Sequence, residues 1–438
     1  MFFQAPTIAR QSDQKSARTN NDMRLWALLL LAHVVSCSEG DNLPEFRDCL
    51  QRCNSILDCA QVNIFEQIQS DQELMEQNEV VAPKPEPPPE RPPVDDDEDE
   101  EVVPRARLAR KYVEPMVSYD ERDFKRFGQF WLTRKLFFWD CKSECNYKCV
   151  RLVTEAREKA GLPMVQFYGK WPFVRVFGIT ELMSVIFSLA NLHAHRRNLY
   201  KVLNQYNKNR RNHSDASVIH QQFLFLIIGS SIGWLFSAIF HTRDTPFTET
   251  LDYLGAFLIS LLNFNAIFIR FFRLFRAEHK TKRQVFQLLL AFTFIGHSIR
   301  LKINWDYSYN LKINIFFGIS ALILWVLHSF EVNKLYNTSL SLPNNSTQLS
   351  PFEGRILKKL NYIVTLDSSY IPFAPIFLNL WLLVGLSFEL LDFYPIKKLL
   401  DAHAIWHFFT IWPPFIWYDW NIWDVELYRL NLDAYKST

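Results

Sequence analysis

Asp401-Ala-His403-Ala-Ile-Trp-His407-Phe-Phe-Thr-Ile-Trp412 is the stretch on which the reading of this chain turns. It opens an apolar, aromatic-rich run to about Trp417, yet carries two imidazoles four residues apart. On a helix that spacing puts both rings on one face, about 6 Å apart along the axis. Ionisable side chains on a membrane-length apolar segment are costly, so they usually face a bundle interior and have a task there. Two readings stand for the pair: zinc ligation, or hydrogen bonds to neighbouring helices.

The rest of the chain supplies the context. It has 438 residues and a formal net charge of +2, and its mean hydropathy of -0.07 averages two unlike halves. Up to about Gly169 the sequence is polar, charged and holds every cysteine. Beyond it come apolar runs at about 173–192, 223–241, 253–272, 285–300, 313–330, 371–391 and 403–422. Each is near the length of roughly twenty residues that a helix needs to cross hydrocarbon. The fourth is short, and the last is interrupted by Pro413 and Pro414. Aromatic residues at 15% suit interfacial belts, and the near-neutral charge gives no reason to expect nucleic acid as a partner. The expected fold is an all-α membrane protein. A seven-transmembrane helix bundle over 170–425 follows a small disulfide-rich lumenal domain over 39–169 and precedes a cytosolic tail over 426–438.

Residues 1–38 read as an N-terminal extension and a signal peptide. The signal runs from Met23-Arg-Leu-Trp through an apolar core to the small residues Ser36 and Ser38. Cleavage after Ser38 removes Cys37 and leaves six cysteines: Cys49, Cys53, Cys59, Cys141, Cys145 and Cys149. An even set behind a signal peptide predicts three disulfides in an oxidising lumen, with the connectivity open. The alternative is a metal site on Cys141, Cys145 and Cys149, whose i, i+4, i+8 spacing suits one helical face. Between the two clusters, 76–104 is Pro-rich and then acidic, a composition that buries no core. It reads as a disordered insert, with calcium buffering as the alternative.

A cleaved signal places the N-terminus in the lumen and the first, third and fifth connecting loops in the cytosol. Basic residues follow that arrangement. Arg196, Arg197, Lys201, Lys208, Arg210 and Arg211 fall in the first loop, and Arg270 to Arg283 hold a second cluster. Lys334, Arg355, Lys358 and Lys359 lie in the fifth, whereas the lumenal loops hold only scattered Lys and Arg. The sequons at Asn212, Asn337 and Asn345 are then cytosolic, as is the C-terminus.

In this topology five polar residues from three helices arrive at the lumenal side at similar depth: Ser237 and His241, Asp252, and His403 and His407. Three neutral imidazoles with a fourth position left for water is the layout of a catalytic zinc site. Zinc would lower the pKa of that water and polarise a scissile carbonyl. Asp252 is the candidate to take the water's proton or orient a ligating histidine, and Ser237 to hydrogen-bond the oxyanion. His297 and His328 read as packing histidines, and His193 and His195 as headgroup-level residues. Glu181, Asp392, Arg243, Asp244 and Asp401 read as supporting or helix-end residues, with Asp401 a candidate N-cap.

Lys170-Trp-Pro-Phe-Val-Arg, Phe240-His-Thr-Arg-Asp-Thr-Pro-Phe-Thr-Glu-Thr-Leu-Asp-Tyr and Leu400-Asp-Ala-His-Ala-Ile-Trp-His resemble the Per1-like family of GPI-anchor lipid-remodelling factors. More broadly, the pattern is similar to a superfamily of seven-span metal hydrolases that includes alkaline ceramidases and adiponectin receptors. Its Ser-x-x-x-His, Asp and His-x-x-x-His motifs match Ser237, His241, Asp252, His403 and His407. The resemblance implies a GPI phospholipase A2. Its action would remove the sn-2 acyl chain of the inositol phospholipid of GPI-anchored proteins, in the lumenal leaflet, to give lyso-GPI. The expected location is the endoplasmic reticulum membrane, with the Golgi also open. The acidic insert and a long fifth loop (about 331–370) depart from the family pattern. Two other readings are a seven-span receptor, and a GPI-protein chaperone with a structural metal site.

Overall fold

The computed structural model of the chain describes residues 38–57, 59, 119, 121–127, 131–339, 345–361 and 366–437. The apolar core of the expected signal peptide, Cys37 and the expected insert at 76–104 lie outside the described residues. The chain forms two compact units that meet in sequence between Gly178 and Ile179.

The first unit is built on α1 (Pro44–Ile56) and α4 (Cys141–Lys159), with the short helices α2 (Glu121–Arg126) and α3 (Trp131–Leu136) between them. Disulfides join Cys49 to Cys149, Cys53 to Cys145 and Cys59 to Cys141. The pairing is nested because two antiparallel helices face each other: the four-residue step from Cys49 to Cys53 on α1 meets the step from Cys149 to Cys145 on α4, and Cys59, just beyond α1, pairs with Cys141 at the start of α4. All three cysteines of the helical-face set are thus consumed by disulfides, and the alternative metal site there is overturned. In the chain-entropy account, a lone cross-link spanning 100 residues stabilises by about 4–5 kcal/mol. The inner two bonds each close only a short further loop, so they add less. Around the bonds pack Phe46, Phe124, Val153, Val165 and Phe167, all buried.

The second unit is helical. Its elements are α5 (Leu182–Arg211), α6 (Ala216–Thr242), α7 (Pro246–Phe271), α8 (Lys280–Ile303), α9 (Tyr307–Ser339), α10 (Asn345–Leu360), α11 (Ala374–Leu391), α12 (Ala402–Ile411) and α13 (Pro413–Ser437). Among the described residues the β structure is limited to isolated bridges such as Ile396 with Leu400. Among the described residues, five segments are long and apolar enough to cross a membrane: Ala216–Thr242, Pro246–Phe271, Ala277–Ile303, Tyr307–Ser339 and Ser368–Leu391. Of the seven expected spans, the two at the ends of the unit are not among these five. Residues 173–181 are not helical, and α5 runs on to Arg211 through a polar half. At the other end α12 stops at Ile411, because Pro413 and Pro414 have no N–H to donate back along the helix. The freed Phe409 carbonyl accepts the Trp381 indole N–H at 2.8 Å instead.

Two glycine contacts set helix spacing. A Cβ on Gly255 of α7 would lie 2.9 Å from the Gly233 Cα of α6, so these two backbones touch. A Cβ on Gly385 of α11 would lie 2.5 Å from the Phe409 Cβ of α12. Much of the expected fifth loop is helix. α9 extends to Ser339, and α10 buries Leu349, Ile356 and Leu360 in the same apolar cluster as Trp420 and Trp423 of α13. Every third or fourth residue of α10 is apolar, a stripe wide enough to hold the helix against that cluster.

Candidate metal centre

His241, His403 and His407 converge. One ring nitrogen from each lies within 4.8 Å of the others, and the ring centroids are 5.2, 5.1 and 4.5 Å apart. His241 and His407 are buried and His403 is half-buried. Asp401 caps α12, accepting the Ala404 N–H at 2.9 Å, so the chain turns into helix just ahead of both imidazoles. That N-cap role is the one expected of Asp401.

His241 stands on the last turn of α6. Thr180 N–H donates to the Thr242 carbonyl at 3.2 Å, and Glu181 N–H to the His241 carbonyl at 3.0 Å. The segment entering α5 thereby satisfies carbonyls left open at the helix end. It also brings the Glu181 carboxylate 2.7 Å from His241 Nδ1. On the facing side, Glu389 of α11 holds His403 Nδ1 at 2.9 and 3.0 Å. Ser188 of α5 lies 3.0 Å from His407 Nδ1. All three rings are therefore held by Nδ1. For His241 and His403 a carboxylate fixes the tautomer with Nδ1 protonated, which turns the Nε2 lone pair toward the shared space. His241 Nε2 is buried and has no hydrogen-bond partner. An orphaned imidazole nitrogen in a cluster of three is what a bound cation would satisfy, and three nitrogen donors suit zinc. The residues fit a metal.

Of the other expected site residues, Ser237 is buried one turn before His241, and its Oγ lies 3.2 Å from Ser188 Oγ. It reaches His407 through that hydroxyl. Asp252 is half-buried on α7 and is not one of the three clustered residues. The carboxylates within hydrogen-bond distance of His241 and His403 are those of Glu181 and Glu389. His297 packs against Phe257 at 4.1 Å between centroids, as expected of a packing residue. His328 Nε2 lies 3.2 Å from Asp424, which also takes a bidentate pair from Arg270 at 2.7 and 2.8 Å. His195 is buried, with Nδ1 2.9 Å from the Tyr418 hydroxyl, because α13 packs along α5 there.

One carboxylate and one buried polar stripe stand near the histidines and also leave a mark in the sequence. Glu389 is the lone carboxylate of the apolar run 371–391, and an intramembrane carboxylate is itself a site marker. Ser184, Ser188, Asn191, His195 and Asn198 recur at helical spacing along α5 and are all buried. That polar stripe faces α12 and α13: Asn191 donates to the His407 carbonyl at 2.9 Å, and Asn198 to the Pro414 carbonyl at 3.3 Å.

The sequence profile of the Per1-like family matches residues 131–425, a span that includes all five motif residues. Protein PER1 of Saccharomyces cerevisiae is 31% identical over 401 residues, covering 91% of this chain and 95% of the yeast protein. The Drosophila melanogaster protein named post-GPI attachment to proteins factor 3 is 32% identical over 287 residues, 65% of this chain and 75% of its own. A Xenopus laevis protein named GPI-specific phospholipase A2-like PGAP3 is 27% identical over 412 residues, 94% of this chain and 97% of its own. No solved structure matches. With nearly all of its helical unit and the 131–178 part of its disulfide-bonded unit inside the matched span, this chain belongs to the Per1-like family.

Proposed function

We propose that this chain is a metal-dependent lipid ester hydrolase of GPI-anchor remodelling. It would cleave the sn-2 acyl ester of the anchor's inositol phospholipid to leave lyso-GPI. The observation that carries the reading is the trio of imidazoles, two buried and one half-buried, each held at Nδ1, with His241 Nε2 left unpaired. The names of the relatives point the same way, since one is called GPI-specific phospholipase A2-like. His241, His403 and His407 would hold zinc. When bound, zinc supplies Lewis acidity and a water that ionises near neutral pH.

The chain's own residues do the rest. Glu181 and Glu389 keep two imidazoles in the ligating tautomer, and Ser188 steadies the third. Ser237 donates its hydroxyl proton to the ester oxygen as negative charge develops there. Asp252 would take the proton of the attacking water and pass it to the departing oxygen of the lysolipid as the acyl C–O bond breaks. Burial of Ser237, His241 and His407 keeps bulk water from the reacting ester, which strengthens these polar contacts.

We place the site at the lumenal ends of seven spans. α5 and the α12–α13 pair would cross the bilayer alongside the five apolar helices, with a lumenal N-terminus and a cytosolic C-terminus. The substrates are GPI-anchored proteins in the lumenal leaflet of the endoplasmic reticulum. His241→Ala and His403→Ala each test the reading. The expected result is loss of bound zinc and of lyso-GPI formation from a defined GPI lipid, with the three disulfides intact. Normal delipidation by a folded His403→Ala protein would sink the hydrolase and leave the receptor or chaperone reading in its place.

A further inference from the structure

Two tips of the disulfide-bonded unit hold phenyl rings outward. Phe138 is 85% exposed and Phe177 81%, and both sit at positive φ, 54° and 52°. Glycine or asparagine adopts that backbone with least strain, so a bulky aromatic at both positions calls for a reason beyond the turn itself. The tips are pinned together from beneath. Trp139, next to Phe138, donates its indole N–H to the carbonyl of Gly178, next to Phe177, at 3.1 Å. The Arg175 guanidinium lies 4.2 Å from the Trp139 ring and 4.1 Å from the Tyr147 ring, and it pairs with both Glu144 oxygens at 2.7 and 2.9 Å. Beside the tips, α3 exposes Leu132 and Leu136, one helical turn apart, together with Arg134 and Lys135. The nearby carboxylate of Asp140 is engaged as the α4 N-cap, accepting Ser143 N–H at 2.7 Å.

We propose that these tips are a membrane-surface anchor. Phe138 and Phe177, flanked by Leu132 and Leu136, enter the interfacial layer of a bilayer, with Arg134 and Lys135 at the level of the lipid phosphates. Outward aromatic and leucine side chains with basic neighbours are the composition of an interfacial segment. The chain itself keeps a bilayer within reach. Thr180 is hydrogen-bonded to Thr242, the last residue of an apolar helix long enough to span a membrane. Phe177 is three residues from Thr180, a reach of at most about 10 Å. The inference does not depend on the hydrolase reading.

The test uses the full-length chain in vesicles of phosphatidylcholine and phosphatidylserine, with a trifluoromethyl-phenylalanine introduced at position 138 or 177. Lys125, 72% exposed on α2, serves as the control position. Spin-labelled phosphatidylcholine should broaden the fluorine signals of both tips at least about threefold more than a soluble gadolinium chelate does, and the order should reverse at the control. Retention of all three disulfides, checked by mass, establishes that the labelled proteins are folded. Stronger broadening by the chelate at 138 and 177 would put the tips in water and overturn the proposal. Resistance to both reagents would put them under protein and overturn it equally.

Discussion

Glu389 and Glu181 show how much of the site depends on residues that do not themselves converge on it. Each carboxylate holds the far nitrogen of a histidine, so neutralising it leaves the imidazoles in place but loosens their tautomer and aim. Glu389→Gln and Glu181→Gln are each expected to weaken metal retention by about 10- to 100-fold. The measurement is zinc per protein after dialysis against graded chelator, and unchanged retention would remove the orienting role. Ser237→Ala should behave differently. It deletes a donor rather than a ligand support, so zinc stays while turnover on a GPI lipid falls by roughly 10²-fold. At this scale the sequence was informative where cost betrayed function: imidazoles and a lone carboxylate in apolar runs stand out. The Ser188 hydroxyl did not stand out, because a buried serine on a membrane helix is cheap when it bonds its own backbone. Which serine meets His407 depends on how α5 packs on α12.

Helix boundaries were legible where proline or an apolar run marked them, and less so where tertiary packing decided. The break at Pro413 follows from a missing donor and was visible beforehand. In the sequence α10 reads as loop, because its apolar residues fall between polar ones. Their burial against α13 is a tertiary fact. The contact of Gly385 with Phe409 is likewise invisible without the fold, and it carries the next prediction. Gly385→Ala places a Cβ 2.5 Å from the Phe409 Cβ, and neither is the tip of a flexible side chain. α11 must therefore move away from α12, drawing Glu389, one turn further on, away from His403. The expected cost is about 1–3 kcal/mol of stability together with weaker metal retention. Gly318→Ala on α9 is the control. A Cβ there meets nothing within 4 Å, so the change should be neutral or slightly stabilising by helix propensity. Thermal unfolding in detergent compares the two. Equal midpoints would mean that the α11–α12 contact does not set the site.

For the whole molecule the decisive question is which side of the membrane each half occupies, and the structure sharpens it. Three disulfides suit an oxidising compartment for the first unit. With that unit in the lumen, as proposed, five crossings or seven would give the same cytosolic C-terminus, because both numbers are odd. The two counts differ over the histidines. If only the five apolar helices cross, α6 enters from the lumen at Ala216 and delivers His241 to the cytosol, away from any lumenal anchor. If α5 crosses first, the α5–α6 turn is cytosolic and His241 returns to the lumen. Arg196, Arg197, Lys201, Lys208, Arg210 and Arg211 on the far half of α5 favour the second arrangement, since basic residues stay on the cytosolic side. A short flexible insert carrying a glycosylation sequon, placed at Ser214, separates the cases. We expect no endoglycosidase-sensitive shift there, and a full shift when the same insert is placed at Asp244, just beyond His241. The reverse pattern would put the three imidazoles in the cytosol. A lumenal GPI ester could not reach them, and the proposed activity would fall with the topology even if the metal centre stood.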